Sequence, residues 1–383
     1  MKNKLKYLYL ILILLLINCS GLTNKKNNTI DDSIITKTKL INIATLGTYT
    51  QQYLNPPTSV IPSFTPTSTL QTTITPSRIY QLTYTMPKIS NELGGSGYDS
   101  LFGIEVDCIK NELLCMDESK LLLQTADQRL GDSSKPRGRI SGYSWSPDGK
   151  KIALCTPGIG NQNDIFVSDI NKQNWKNITN SSIEECSPSW SPDGKYIAYH
   201  ACSSDIYGGC QIFMSPEIGG DQIKLLNKIT KFFSENPVWT YDGKKMLFQV
   251  TDDQGYWQIY MANLDGSDLQ QLTQGNMDSK SPSISVDGKV VVFERKIDQD
   301  HFDIYKLDLA KNEEIRITEN IASQLTNPMI APFGSWIAFG SDKGVSGGTN
   351  IFLVGDDGHE IIMATQGGGE YKMLAGWRNL SNP

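Results

Sequence analysis

From about residue 98 onward, apolar and polar residues alternate in short runs with a period of two, and turn-forming residues separate the runs. Two stretches show the pattern best: YSWSPDGKKIAL from Tyr143 to Leu154 and PSWSPDGKYIAY from Pro188 to Tyr199. Each reads as two antiparallel strands joined by a short loop. Pro147 and Pro192 fix φ for the second turn position, Asp148 and Asp193 suit the third, and Gly149 and Gly194 accept a positive φ. These aspartates are therefore assigned to the turn and not to catalysis.

The same sentence recurs. Pro237 to Phe248 reads PVWTYDGKKMLF, Pro282 to Phe293 reads PSISVDGKVVVF, and Pro328 to Phe339 reads PMIAPFGSWIAF, a degenerate copy. Near the end, Met373 to Leu380 gives MLAGWRNL. The anchors Trp145, Trp190, Trp239, Ile284, Ile330 and Trp377 are spaced by 45, 49, 45, 46 and 47 residues. After each hairpin comes a variable loop and an apolar strand: DIFVSDI, QIFMSPE, QIYMANL, DIYKLDL and NIFLVGD. A polar turn follows, then a last strand ending in a Leu/Ile-Thr pair such as Ile178-Thr179, Leu272-Thr273 or Ile317-Thr318. The unit is four antiparallel strands with no predicted helix. Two apolar faces on one small sheet require neighbours on both sides, so the units are expected to stack around an axis.

This repeat resembles the TolB-family β-propeller, whose WD-like blades carry a Pro-x-Trp-Ser-Pro-Asp-Gly-Lys core. The resemblance covers roughly residues 98 to 380 and implies an all-β, six-bladed β-propeller of four-stranded antiparallel blades. Five periods start at Trp145, and a sixth begins at Trp377 with its first strand alone. Its other strands are expected at the front, as Leu101–Asp107, Glu112–Glu118 and Leu121–Asp127, with the C-terminal strand docked beside Leu101–Asp107 to close the ring. Each anchor is expected to pack between blades. Burying one Trp is worth at most about 4–6 kcal/mol.

Composition narrows the function classes. The chain has 383 residues, 39% of them apolar, and a net charge of −6. Mild acidity without a basic stripe argues against nucleic-acid binding. The N-terminus, MKNKLKYLYLILILLLINCS, has three Lys, an apolar run from Leu8 to Ile17, and Cys19. It has the shape of a secretory signal. Leu16-Ile17-Asn18-Cys19 resembles the lipobox of bacterial lipoproteins, with Asn18 where a small residue is usual. The resemblance implies acylation at Cys19, a mature chain starting there, and an exported, membrane-anchored propeller on the periplasmic or cell-surface side. An uncleaved anchor helix is the alternative. Residues 20–97 are rich in Asn, Thr, Ser and Pro and are expected to form a flexible linker. TolB itself carries an α/β domain ahead of its propeller, so the contacts made by that domain are not carried over. The expected organisation is signal and acylation site over 1–19, linker over 20–97 and propeller over 98–383.

Six further cysteines remain: Cys108, Cys115, Cys155, Cys186, Cys202 and Cys210. They allow 15 pairings, and the blade arrangement implied by the resemblance selects 108–115, 155–186 and 202–210. Their spacing, with three His in the chain, does not fit a zinc site. No metal site and no cofactor is expected.

Gly344-Val345-Ser346-Gly347-Gly348 matches G-x-S-x-G, and Asp356, Asp357 and His359 follow in hydrolase order. A nucleophile elbow requires a strand-to-helix turn, whereas this is a Gly-rich loop between two strands, so no catalytic residue is assigned. Asp252, Asp253, Asp298, Asp300 and Asp303 lack the spacing of a known calcium loop. The long, variable loops opposite the Ser-Pro-Asp-Gly turns are the expected contact surface. Tyr207, Tyr256, Trp257 and Phe302 are its candidate anchors. The resulting expectation is a non-catalytic protein-binding or scaffold module with an envelope protein as partner. The alternative is a propeller enzyme or glycan-binding protein using the central channel.

Overall fold

The computed structural model describes strands over 80–89, 97–109, 112–115 and 120–124, and the chain from 140 to 380 apart from short loop segments at 159–161, 203–208, 230–232, 300, 320–324, 334–335, 345–346 and 366–369. The signal and acylation segment ending at Cys19, and the linker up to residue 79, lie outside the described residues.

Every described element is a β-strand or a turn. The first blade uses β1 (Tyr80–Ile89), β2 (Gly97–Ile109), β3 (Glu112–Cys115) and β4 (Lys120–Gln124). The second holds β5 (Gly142–Trp145), β6 (Lys151–Pro157), β7 (Asn163–Asp169) and β8 (Lys176–Asn177). The third holds β9 (Glu184–Trp190), β10 (Tyr196–Cys202), β11 (Cys210–Pro216) and β12 (Ile223–Lys224). The fourth has β13 (Ser234–Trp239), β14 (Lys245–Thr251), β15 (Trp257–Asn263) and β16 (Gln270–Gln271). The fifth has β17 (Ser279–Ile284), β18 (Val290–Lys296), β19 (Phe302–Asp308) and β20 (Glu313–Arg316). The sixth has β21 (Leu325–Ile330), β22 (Trp336–Ser341), β23 (Asn350–Gly355) and β24 (Ile361–Met363). The last strand, β25 (Met373–Asn379), returns to the first blade. Blades two to six each pair their strands in chain order, all antiparallel. First strands touch in sequence around the ring, β5 on β9, then β13, β17, β21 and β25, and β25 returns to β5. The fold is a closed six-bladed β-propeller.

Closure corrects the expectation at two points. Trp377 and its strand do not dock beside Leu101–Asp107; β25 pairs with β1, and β1 separates it from β2. The propeller therefore starts at Tyr80, inside the segment 20–97 read as linker. YQLTYTM is rich in Gln and Thr, and its composition hid its alternation. Tyr80, Leu82 and Tyr84 join the core, while Gln81, Thr83 and Thr85 are buried too. Leu101–Asp107 is the third strand from the axis, not the second. Both β3 and β4 pair with β2.

Buried polar groups of this kind need partners. Thr83 Oγ1 donates to Gly376 O at 2.8 Å and accepts from Trp145 Nε1 at 2.9 Å. One threonine thus stitches the first strand of sequence to the last and to the second blade. Arg378 completes the seam. Its Nε donates to Gly149 O, its Nη1 to Gln81 Oε1, and its guanidinium lies over the Trp145 ring. Gly149 has φ of +69°, and a Cβ there would meet Asn379 O at 2.0 Å. The glycine of this turn is needed for conformation and for the approach of the closing strand.

Each anchor packs onto the blade before its own. Trp190 lies with Ala153, Ile165 and Val167, Trp239 with Ala198 and Met214, and Ile284 with Leu247 and Ile259. Trp377 packs against Ala338, Ile351 and Leu353 and meets Phe333 edge-on. The turns repeat in detail: Ser146, Ser191, Thr240 and Ser285 each donate a hydroxyl proton to Asp148, Asp193, Asp242 or Asp287. These aspartates are consumed by turn geometry. The Leu/Ile-Thr pairs have a matching role. Thr179, Thr273, Thr318 and Thr365 each accept a hydrogen bond from the third-strand amide of Ile165, Ile259, Ile304 or Ile351.

Disulfides join Cys155 to Cys186 and Cys202 to Cys210. The third expected pairing falls on side chains outside the described residues; the backbone register sets Cys108 opposite Leu113 and Cys115 opposite Val106.

Two stability outcomes follow. Thr83→Val removes the acceptor of the Trp145 indole and the bond to Gly376 in one step, and is expected to cost about 1–3 kcal/mol in urea unfolding. Replacing both Cys155 and Cys186 by Ala opens a cross-link between positions 31 apart, and is expected to cost about 3–4 kcal/mol in the same assay.

Candidate functional site

The site begins with a backbone irregularity repeated at the same place. Ser187, Asn236, Ser281 and Asn327 have φ between 44° and 53°, and each stands directly before a proline, at Pro188, Pro237, Pro282 or Pro328. The ladder of the innermost strand slips there in all four blades. This is a β-bulge, which bends a strand and re-aims a side chain. Ser and Asn tolerate the left-handed region better than most residues. Here the bulges turn short polar side chains toward the neighbouring blade along the inner ring.

Three of them, Ser187, Asn236 and Ser281, belong to one connected arc. Ser187 Oγ donates to Asn236 Oδ1, and Asn236 Nδ2 donates to Gln249 Oε1 at 3.1 Å. The Ser281 amide donates to the same Gln249 oxygen at 3.1 Å, and Ser281 Oγ donates to Glu294 Oε1 at 2.9 Å. Gln249 Nε2 reaches Glu235 Oε2 at 3.4 Å. Gln249 and Glu294 occupy the position three residues past the one paired with the anchor; in the other blades it holds Thr85, Cys155, His200 and Gly340. Ionisable side chains at this level are thus confined to His200 of the third blade and Glu294 of the fifth, with the Gln249 amide of the fourth between them. The opposite side carries Thr85, Gly340 and a disulfide sulfur.

Burial sets the electrostatics. It pushes the Glu294 carboxyl up to about 7, against the opposing hydrogen bond from Ser281 and the charge of Lys280. Glu235 is raised by the same cause, with Gln249 and Lys280 opposing. Burial lowers His200 to about 4, so its imidazole is neutral at neutral pH, and its Nδ1 has no protein partner. Lys280 Nζ lies 3.1 Å from Asp278 Oδ2 and 5.6 Å from the centre of the Trp257 ring. Gln249 and Ser281 link the two carboxyl groups, and no hydrogen bond joins either to His200. The arc offers donors and acceptors in a fixed row and has no acid–base pair in contact.

The predicted anchors are spread around the rim. Trp257 is half-buried under Lys280, and Tyr256 is half-buried in a loop organised by Asp252, whose Oδ1 accepts from the amides of Gln254 and Tyr256. Phe302 packs on the core of the fifth and sixth blades. Tyr207 lies outside the described residues. Asp298 engages His301 Nδ1, and Asp303 pairs with Arg316, so these two of the acids weighed for calcium are already committed elsewhere. His359 stands in an exposed turn between β23 and β24, its amide bonded to Asp357. Ligand atoms of Cys202, Cys210 and Glu235 come within 4.8 Å of one another, but the two sulfurs form a disulfide and offer no thiolate.

The arc was missed in the sequence although its signal was present. The residue before each hairpin proline is Ser, Asn, Ser and Asn in turn, a pattern that anchor-based alignment passes over.

Fold and inner ring together define a six-bladed β-propeller built from Ser-Pro-Asp-Gly hairpins. Residues 116–301 match the TolB beta propeller domain. Solved structures agree at the level of fold. TolB from Acinetobacter baumannii superposes with a TM-score of 0.58 at 19% identity, over 78% of this chain and 66% of that one. The putative TolB from Agrobacterium tumefaciens gives 0.54 at 16% identity, over 78% and 99%. Hydrazine synthase from Kuenenia stuttgartiensis gives 0.57 at 11% identity, over 79% and 47%. No curated protein sequence matches.

The raised Glu294 carboxyl makes a pH prediction. Its ordinary value is 4.5. Between about pH 4.5 and 7 the unfolded chain has lost this proton while the folded chain holds it. Stability from this group is therefore complete below that window and lost as pH rises through it. Glu294→Gln is expected to flatten part of the decline in thermal stability measured across this range; an unchanged slope would mean that Glu294 ionises normally.

Proposed function

We propose that this protein is a non-catalytic, membrane-tethered binding module of the cell envelope, acylated at Cys19, whose loop face receives a protein partner. One observation carries the orientation. β1 starts at Tyr80 opposite Asn379, the last residue of β25, and both lie beside the turn at Gly149. Tyr80 packs against Phe333 in the equivalent turn of the sixth blade, the rings tilted at 34°. The propeller is thus entered and left on the Ser-Pro-Asp-Gly face. On this reading the opposite face, with Trp257, Tyr256 and the Cys202–Cys210 disulfide, is the one offered to the partner. The TolB-like fold supports an envelope location and protein contact, and the two disulfides fit an oxidising compartment. A half-buried indole beside a lysine is a suitable anchor for such a contact.

The arc favours a second reading, in which the channel takes a polar ligand such as a glycan. Neutral His200, Gln249 and Glu294 line up donors and acceptors of the kind sugar hydroxyls use.

Two measurements test the first reading. Cys19→Ser is expected to abolish palmitate incorporation and release the protein from the membrane fraction; continued labelling would refute acylation there. A photo-crosslinker at Trp257 is expected to capture the envelope partner, while one at Lys150 on the turn face is not. Capture from the turn face instead would reverse the orientation.

A further inference from the structure

Equivalent positions in different blades carry different charges, and one set does not balance. The residue five before each anchor lies at the contact with the preceding blade. It is Lys372 in the first blade, Ser279 in the fifth, Ser234 in the fourth and Glu185 in the third. Opposite it stands the polar residue that opens the third strand of the preceding blade: Asn350, Gln258 and Asp164 belong to this class, as does Asp303.

At the contact between the sixth and first blades, Lys372 Nζ, 3% exposed, donates to Asn350 Oδ1 at 2.9 Å. Asp303 is neutralised by Arg316, whose Nη2 lies 2.5 Å from Oδ2. In the fourth, fifth and sixth blades the threonine hydroxyl also donates to this residue, from Thr273 to Gln258, Thr318 to Asp303 and Thr365 to Asn350.

The contact between the second and third blades departs from all of these. Asp164, 3% exposed, takes Asn177 Nδ2 and the Ser181 amide. Glu185 is 0% exposed, and neither of its carboxylate oxygens accepts a hydrogen bond of good geometry, with only the neutral side chains of Thr179, Ser181 and Gln222 near enough to stabilise its charge. The two carboxyls repel each other, and Glu184 adds a further negative charge near Asp164. Among the described residues, no lysine or arginine pairs with either of the two. Thr179 and Ser181 place hydroxyl oxygens beside Glu185, and Tyr199, also 0% exposed, has an unpartnered hydroxyl within reach of its charge. A fully buried carboxylate beside a second carboxylate and facing only neutral groups is costly unless a counter-charge is supplied.

We propose that this contact binds a hard divalent cation of the calcium type, held by the carboxylates of Asp164 and Glu185 and by hydroxyl oxygens of Thr179 and Ser181. The cation takes the place that the Lys372 amine and the Arg316 guanidinium take at two other contacts. The oxygen-only donor set matches calcium and excludes the thiolate and imidazole metals. Few ligands and two carboxylates place the affinity in the extracellular class, on the order of 10⁻⁴ M. Glu185 neighbours Cys186 in the chain, and its carbonyl oxygen lies 3.4 Å from Cys155 Sγ of the disulfide. Cation and disulfide then clamp the same two blades. The proposal stands independently of the partner-binding reading.

The test uses the full-length protein at about pH 7.5, where the carboxylates are free to ionise in the presence of metal. Terbium is added, and its luminescence is read on tyrosine excitation, Tyr199 being the donor beside the site. Saturable emission displaced by calcium, with a thermal midpoint that rises on adding calcium and falls on adding EGTA, is the expected result. Tyr199→Phe should remove most of the emission and keep the thermal response. Asp164→Asn and Glu185→Gln should each weaken calcium binding by about tenfold or more. Should one of them fail to fold, the wild-type titration and the other variant decide. The proposal is overturned if the wild-type protein gives no calcium-sensitive emission or thermal shift, or if both variants respond as the wild type does. A Glu185→Gln protein that is stabilised beside a calcium-insensitive wild type would show that Glu185 simply keeps its proton.

Discussion

The whole molecule depends on a seam of seven residues. A four-stranded sheet with two apolar faces has no stable exposed state, and in a propeller each face is covered by the next blade. That solution works only when the ring is complete. Here completion falls to β25, which supplies the innermost strand of a blade whose other strands lie nearly three hundred residues earlier in the chain, the separation spanned by the Thr83–Gly376 bond. The seam is accordingly reinforced more than an ordinary strand pair. Thr83 bonds to β25 and to Trp145, Arg378 spans Gln81, Gly149 and the Trp145 ring, and Phe333 is wedged between Tyr80 and Trp377. Side chains from the first, second and sixth blades meet there. Loss of closure would expose the apolar flanks of two blades at once.

Repetition made most of this architecture legible. The Ser-Pro-Asp-Gly turn, the anchor and the Leu/Ile-Thr pair are local devices, each using a nearby backbone group, so they recur wherever the fold recurs. The blade count, the anchor packing and the two described disulfides follow from them. What stayed hidden was β1. Its Gln81, Thr83 and Thr85 are buried because their polar atoms find distant partners, and alternation of apolar with Thr and Gln looks like the neighbouring Thr-rich stretch when read without those partners. A strand stabilised by long-range hydrogen bonds carries little of its own signal. The same reasoning explains why closure was assigned to Leu101–Asp107, the more apolar run.

The candidate site was hidden for the opposite reason. Its residues sit on repeat positions, but their value lies in differing from blade to blade. Cys155, His200, Gln249, Glu294, Gly340 and Thr85 share one structural position and none of their chemistry. Alignment by anchors averages such a position into noise. It becomes informative once the ring is closed, because three consecutive members then prove to be adjacent and joined through Ser187, Asn236 and Ser281. A propeller divides its sequence in this way. Positions that must be alike build the frame, and positions free to differ acquire function.

That division also gives a criterion for reading the buried charges. Where a frame position changes from blade to blade, its partner should change with it, because an uncompensated buried charge costs several kcal/mol. Lys372 faces Asn350, and Asp303 faces Arg316, so these substitutions are matched. Glu235 and Glu294 share Lys280. Glu185 breaks the rule: its blade-two counterpart is another acid, and only the neutral side chains of Thr179, Ser181 and Gln222 stand by its charge. A pair of buried acids with no cation at their contact, beside contacts where Lys372 and Arg316 supply one, is better explained by a missing positive charge than by tolerance of strain. The protein already spends a disulfide on the same pair of blades, so a second tie there is consistent with a contact that must hold as a unit.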